Sequence, residues 1–172
     1  MIFHSKFNGT IKLTKNWRGK PSVWVGGFEQ SGPNYVEKLW SKALRHSGLS
    51  RINSVLVLGL GCGTIVKIIN DLWPEAKIVG VEIDPVMIEI GRKYFGLSDL
   101  SNLKIVQSEA NEYIKCSKDK FDLIICDAYL GGKIQLLKLK KSKATILSNE
   151  LNSKTLTNQI VLTPLTRGGL VN

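Results

Sequence analysis

Residues 54–73 constrain the fold more than any other stretch of the chain. Val55-Leu56-Val57-Leu58 is an unbroken apolar run, the pattern of a strand covered on both faces. Gly59-Leu60-Gly61-Cys62-Gly63-Thr64 follows at once, and Ile65, Ile68, Ile69, Leu72 and Trp73 then recur at helical spacing as far as Pro74. A strand that turns this tightly into a helix needs backbone conformations that only glycine adopts without steric cost. The helix opening near Gly63 directs amide donors and a positive dipole end into the crevice beyond the strand, where a ligand can approach the backbone.

The same alternation continues. Lys77 to Val81 reads as a second strand, ending in Glu82-Ile83-Asp84-Pro85, and Val86, Ile88, Ile90 and Tyr94 mark a second helix stopped at Gly96. Leu103 to Val106 is a third strand and Asn111 to Cys116 a short helix. Asp122 to Cys126 is a fourth strand, delivering Asp127. Strand and helix alternating in this way predict an α/β fold with a parallel, Rossmann-like, doubly wound sheet. Glu82 ends the second strand nineteen residues after Gly63, where a carboxylate can accept from ribose hydroxyls; the other reading is a solvated side chain beside a tight turn. Glu109-Ala110 follows the third strand over the same crevice. Glu109 could accept from an adenine amino group or act as the N-cap of the next helix, and the two roles are compatible. Asp127 stands beside the switch point of the sheet, either as a base or as a turn-capping residue.

Residues 1–50 are expected to form a separate N-terminal unit, and 51–172 the nucleotide-binding domain with an atypical tail from about 133. Within the first, 9–30 reads as a β-hairpin turning at Trp17-Arg18-Gly19-Lys20-Pro21, and 35–46 as a helix with Val36, Leu39, Trp40 and Leu44 on one face. Trp17, Trp24 and Trp40 are expected to pack as core between hairpin and helix. His4 and His46 are isolated. Cys62, Cys116 and Cys126 are odd in number without a CxxC spacing, which argues against a structural metal or disulfide framework and for a reducing cytoplasm. No apolar run approaches the roughly 18 residues of a membrane span, and no secretory signal is evident at the start.

The net charge of +10 is uneven: residues 133–172 hold seven of the 24 Lys and Arg but one of the 14 Asp and Glu. The surplus sits in a tail without interleaved aromatics, which argues against nucleic-acid binding. From Leu130 to Asn172 there is no aromatic residue, and apart from a conceivable helix near 134–143 the periodicity is weak.

From about Gly9 to Gly132 the chain resembles the spermidine synthase family of polyamine aminopropyltransferases and their methyltransferase-like relatives. Val55 to Gly63 resembles the family's glycine motif, with Val57 where ordinary class I methyltransferases place an acid. Val81-Glu82-Ile83-Asp84-Pro85, Tyr94-Phe95 and Phe121-Asp122-Leu123-Ile124-Ile125-Cys126-Asp127 match further blocks, and Gly26-Gly27-Phe28-Glu29-Gln30 with Tyr35-Val36-Glu37 resembles the segment before the first helix. The resemblance implies a decarboxylated S-adenosylmethionine donor, a small amine acceptor such as putrescine, no metal, and a homodimer. It also implies that Gly59, Gly61, Gly63, Glu82, Ile83, Glu109, Ala110 and Gln30 hold the donor. Gln30 and Tyr35 would line the amine pocket, and Asp127 would take the amine's proton.

Three positions depart from that pattern. Cys62 stands where the family's transferases carry an Asp that pairs with the donor amine, Leu130 where they carry a second acid, and Val36 replaces a polar residue. These departures imply ordinary S-adenosylmethionine as donor, a methyltransferase-like activity, or a truncated nucleoside-binding module without catalysis. Arg167-Gly168-Gly169-Leu170-Val171-Asn172 resembles the start of the family's fifth strand. With the loss of aromatics and acids after Tyr129, this points to a truncated or frame-shifted C-terminus.

Overall fold

The computed structural model describes residues 1–128, 144–152 and 157–163, with backbone alone beyond 148. Four antiparallel strands come first: β1 (Ile2–Ser5), β2 (Gly9–Lys15), β3 (Pro21–Val25) and β4 (Phe28–Ser31), in that order across the sheet. The expected hairpin is its centre, β2 with β3. Of the two additional edge strands, β4 arises because Gly26 and Gly27, both at positive φ, turn the chain back after β3, and β1 pairs with β2 from Ile2↔Lys12 to Ser5↔Gly9. Helix α1 (Val36–Arg45) follows, burying Val36, Trp40 and Leu44. Trp17, expected in the core, lies at the β2–β3 turn and is 86% exposed. The turn is closed by Asn16 instead, whose side-chain oxygen accepts from the amides of Arg18 and Lys20, so nothing draws the tryptophan inward.

The second sheet is built as the glycine-loop pattern requires. Its elements are β5 (Ser54–Leu58), α2 (Thr64–Leu72), β6 (Lys77–Glu82), α3 (Pro85–Tyr94), a 3-10 turn at Leu97–Asp99, β7 (Leu103–Gln107), α4 (Ala110–Cys116), β8 (Leu123–Cys126), β9 (Thr145–Asn152) and β10 (Thr157–Thr163). The strand order is β10-β9-β8-β5-β6-β7, with five parallel strands and β10 antiparallel at the edge. The chain steps from β5 to β6 and β7 on one side, then returns to place β8 on the other. The carboxyl ends of β5 and β8 therefore flank the switch point, with Leu58 paired to Cys126.

Alternation along these strands feeds two cores. Val55, Val57, Ile125 and Leu147 face α1 and α2, against Trp40, Ile65 and Ile69. Leu56, Leu58, Ile124, Cys126 and Ile146 face the other way, against Ala110. Burial on both faces is why these strands read as continuous apolar runs. β9 escaped that reading because Ser148, Asn149 and Glu150 follow only two apolar residues. It takes the fifth-strand position expected to begin at Arg167–Asn172; that segment and the helix expected near 134–143 lie outside the described residues.

A third cluster joins the two sheets: Ile11, Leu13 and Val23 pack on Cys62, Met87, Ile90 and Phe95. Beside it Asp84, fully buried, caps α3 by accepting from the Val86 amide at 2.9 Å and accepts across the interface from the Ser5 hydroxyl and Asn8 Nδ2. Removing a carboxylate that satisfies three donors leaves them stranded in the protein. Asp84→Ala is therefore expected to lower unfolding free energy by about 2–4 kcal/mol, read from urea denaturation midpoints.

Candidate functional site

The glycine loop is pressed between the end of β5, which it follows, and the residues that leave β8. Gly59 has φ of 86°, and a Cβ there would stand 2.5 Å from the Asp127 carbonyl oxygen. A side chain at 59 would force β5 and β8 apart, so glycine is what lets Asp127 sit over the loop. At Gly61, with φ of 56°, the neighbours are the Ser31 hydroxyl at 2.9 Å and the Gln30 carbonyl at 3.5 Å from the same construction. One turn of backbone thus touches the segment bearing Gln30 on one side and Asp127 on the other.

The loop amides do not form an open cradle. Gly59 and Leu60 both donate to the Val81 carbonyl, Gly61 donates to Glu82 Oε2 at 2.8 Å, Cys62 to the Ser31 hydroxyl at 2.9 Å, and Gly63 to the Leu60 carbonyl. The space beside Gly59, Gly61 and Gly63 is taken by Asp127, Ser31 and Leu97, and the loop's own donors from 59 to 63 are engaged, which leaves the dipole end of α2 as what the loop presents. The sequence pattern shows where amides gather but not that β4 and Glu82 would claim them.

Glu82 is 8% exposed. Its Oε1 accepts from the amides of Ile83 and Asp84, at 2.9 and 3.0 Å, and its Oε2 from Gly61. Burial pushes its pKa up, the three amides pull it down, and the Asp84 charge adds to the rise; the balance is upward. A carboxylate accepts about four hydrogen bonds. Oε2 therefore retains capacity for a hydroxyl donor. The carbonyl of Glu82 accepts from Ser108, which brings the end of β7 alongside. There Glu109 caps α4: its Oε2 accepts from the Glu112 amide and its Oε1 from Asn111 Nδ2. The capping role is thus filled, and Ala110 is buried beneath it.

Sequence reasoning missed the residue that organises the other wall. Glu29 faces inward from β4, and its carboxylate accepts from the amides of Asn34, Tyr35 and Val36 and from Asn34 Nδ2. α1 has no side-chain cap of its own, so Glu29 supplies one from outside the helix. Burial alone would raise its pKa, but the amides of Tyr35 and Val36, with Ser22 and Asn34, overcome that and hold it below its ordinary value. Ser31 and Thr64 complete the seam: the Gly32 amide donates to the Thr64 hydroxyl at 2.9 Å. The available signal was an acid seven residues before the helix start at Val36. Gln30 lies between two inward-facing residues, so by strand alternation its side chain leaves on the opposite face. Tyr35 is half-exposed.

Asp127 follows β8; its amide donates to the Leu58 carbonyl and its Oδ2 accepts from the Trp40 indole at 3.2 Å. The Trp40 contact was not foreseen, since nothing in local spacing links residues 87 apart. Cys62 occupies a packing position: it is fully buried with Met87 Sδ 3.9 Å away, and burial pushes its thiol far above the ordinary value. Leu130 lies outside the described residues. Among the described residues no cluster of three or more His, Cys, Asp or Glu could hold a metal, and no helix is long and apolar enough to cross a membrane.

A profile described as a methyltransferase domain matches residues 53–166, from β5 through β10. The chain belongs to the methyltransferase-domain family. Within it, the chain is similar to a probable polyamine aminopropyl transferase of Bifidobacterium longum, 32% identical over 143 residues, 83% of this chain and 31% of that protein. It is also similar to the eEF1A lysine and N-terminal methyltransferase of Mus musculus, 36% identical over 61 residues, 36% of this chain and 9% of that protein. The spermidine synthase of Thermotoga maritima shares the fold at a TM-score of 0.70 and 18% identity, over 88% of this chain and 57% of that one. The chain spans at most about a third of the length of these curated relatives.

For this methyltransferase-domain protein, Glu29 ties stability to pH. Its pKa is lowered in the folded state, so its contribution is full above the unfolded value near 4.5 and is lost as pH falls through the folded value. Glu29→Gln is expected to cost about 2 kcal/mol at pH 7, because charge-assisted bonds to amides are lost. The gap should close in acid below pH 4.5, as read from denaturation midpoints against pH.

Proposed function

We propose that this chain forms the donor-binding region of a transferase that uses an S-adenosylmethionine-type donor and a small amine acceptor, with aminopropyl transfer as the first reading. The observation that carries it is the pairing of Glu82 and Asp127 across one glycine loop. The two carboxylates serve different ends of such a reaction. Glu82, anchored to Gly61 with acceptor capacity left on Oε2, suits ribose hydroxyls. Ile83, Glu109 and Ala110 suit the base beside it, and the turn at Gly59, Gly61 and Gly63, with the dipole end of α2, suits the donor's polar end. Tyr35, half-exposed at the start of α1, borders the side from which an amine would enter, and Gln30 adjoins the loop through its backbone carbonyl.

The donor supplies an activated carbon on a sulfonium. Attack by a neutral amine forms a carbon–nitrogen bond as the carbon–sulfur bond breaks, and the electron pair stays on sulfur, which leaves as a neutral thioether. The new ammonium must lose a proton. Asp127, at the switch point, is the group proposed to take it and to orient the amine beforehand. The residues need no metal for these roles.

Methyl transfer from ordinary S-adenosylmethionine is the second reading, and Cys62 favours it. Its side chain is turned into the apolar cluster with Met87, so position 62 offers no carboxylate to a donor amine. An unpaired ammonium in a dry site is costly.

Calorimetric titration with S-adenosylmethionine and its decarboxylated form, followed by turnover with putrescine, tests both readings. The first expects tighter binding of the decarboxylated donor and an aminopropylated product. Tighter binding of the carboxylated donor moves the assignment to methyl transfer, and binding of neither by folded protein defeats both. Glu82→Ala is expected to weaken donor binding about 30-fold, roughly 2 kcal/mol, while Asp127→Asn leaves donor affinity within about threefold and lowers turnover at least 100-fold.

A further inference from the structure

The indole of Trp40 spans from the N-terminal segment to Asp127. Trp40 lies on α1, has no exposed surface and belongs to the cluster that contains Val57 and Ile125, the strand residues just before the switch point. Its Nε1–H donates to Asp127 Oδ2 at 3.2 Å. An indole donates and cannot accept, so it fixes the direction of one carboxylate oxygen. Close packing leaves the ring little freedom to follow a moving partner.

The position of that indole is set elsewhere. α1 begins where Glu29 takes the amides of Tyr35 and Val36, and Trp40 lies one helical turn after Val36 on the same buried face. Ser31 and Gly32, from the same seam, bond Cys62 and Thr64 of the glycine loop. A shift of the N-terminal segment would move the loop and the indole together.

We propose that Trp40 is the positioning residue that aims Asp127, holding Oδ2 so that the carboxylate keeps one orientation toward the acceptor amine, with Glu29 fixing the helix that carries it. The inference rests on the reading of Asp127 as the proton acceptor. A competing account is that Asp127 only satisfies a buried indole. In that case the indole would sense Asp127 but turnover would not depend on the indole.

The test has two arms. In the first, the four tryptophan indoles of the full chain are labelled with ¹⁵N and assigned by substitution. The Trp40 signal is expected to shift in Asp127→Asn while those of Trp17 and Trp73 stay in place; an unmoved Trp40 signal overturns the proposal. In the second, Trp40→Phe keeps a buried ring and removes the donor. It is expected to lower kcat with putrescine about tenfold or more while the donor KM stays within about twofold. A wild-type kcat in Trp40→Phe overturns the proposal and leaves the transferase reading intact. If the unaltered chain transfers nothing from either donor, the transferase reading fails and the positioning role falls with it. If Trp40→Phe does not fold, Glu29→Gln replaces it: a Trp40 signal displaced together with a lower kcat supports the proposal, and a displaced signal with unchanged kcat overturns it.

Discussion

The contact on which the rest depends is between two stretches of backbone, Gly59 against the carbonyl of Asp127. Parallel strands β5 and β8 can run side by side to their ends only if the chain leaving β5 turns away within one residue, and the turn must carry no Cβ. Once it does so, Leu60 drops toward Gly80, Gly61 meets Glu82, and Cys62 is brought against the inner face of the N-terminal sheet. The site is a by-product of that closure. Glu82 and Asp127 stand at the carboxyl ends of β6 and β8, on either side of β5, because β5 pairs with both.

The carboxylates differ in what their surroundings have done to them. Glu82 is buried with amides that only partly offset desolvation, so ionising it costs free energy that a polar ligand can return by donating to it. Glu29 is buried with enough donors to reverse the balance, and it acts as structure. Asp84 is spent on the interface and on α3. Of the acids near the loop, Glu29 and Asp84 therefore hold the frame, while Glu82 keeps acceptor capacity beside Gly61. That division follows from counting donors against lone pairs, and charge alone does not predict it.

How much of this the sequence carries depends on the range of the interaction. The strands and helices from 54 to 126 were legible because each is fixed by its own pattern: apolar runs for buried strands, 3.6-residue spacing for helices, glycine and proline at their ends. Glu82, Glu109 and Asp127 were legible as strand-end acids for the same local reason. What was not legible is held by partners far apart in the chain. Trp40 finds Asp127 across 87 residues, Cys62 finds Ser31 across 31, and Asp84 finds Asn8 across 76. β9 was missed because a fifth parallel strand can borrow its register from β8 and needs only Ile146 and Leu147 to fill the two cores.

The N-terminal sheet is more than an appendage to a nucleotide-binding fold. Its inner residues Ile11, Leu13 and Val23 cover Cys62, Met87 and Ile90, and its last strand supplies the hydroxyl that holds the Cys62 amide. A glycine loop that keeps its own amides from 59 to 63 busy is held in place by what surrounds it. That hold comes from the seam of Glu29, Ser31, Gly32 and Thr64, which crosses from one sheet to the other. The loop and α1 are therefore coupled: whatever loosens the seam changes the spacing between them before it changes the strand ends that carry Glu82 and Asp127.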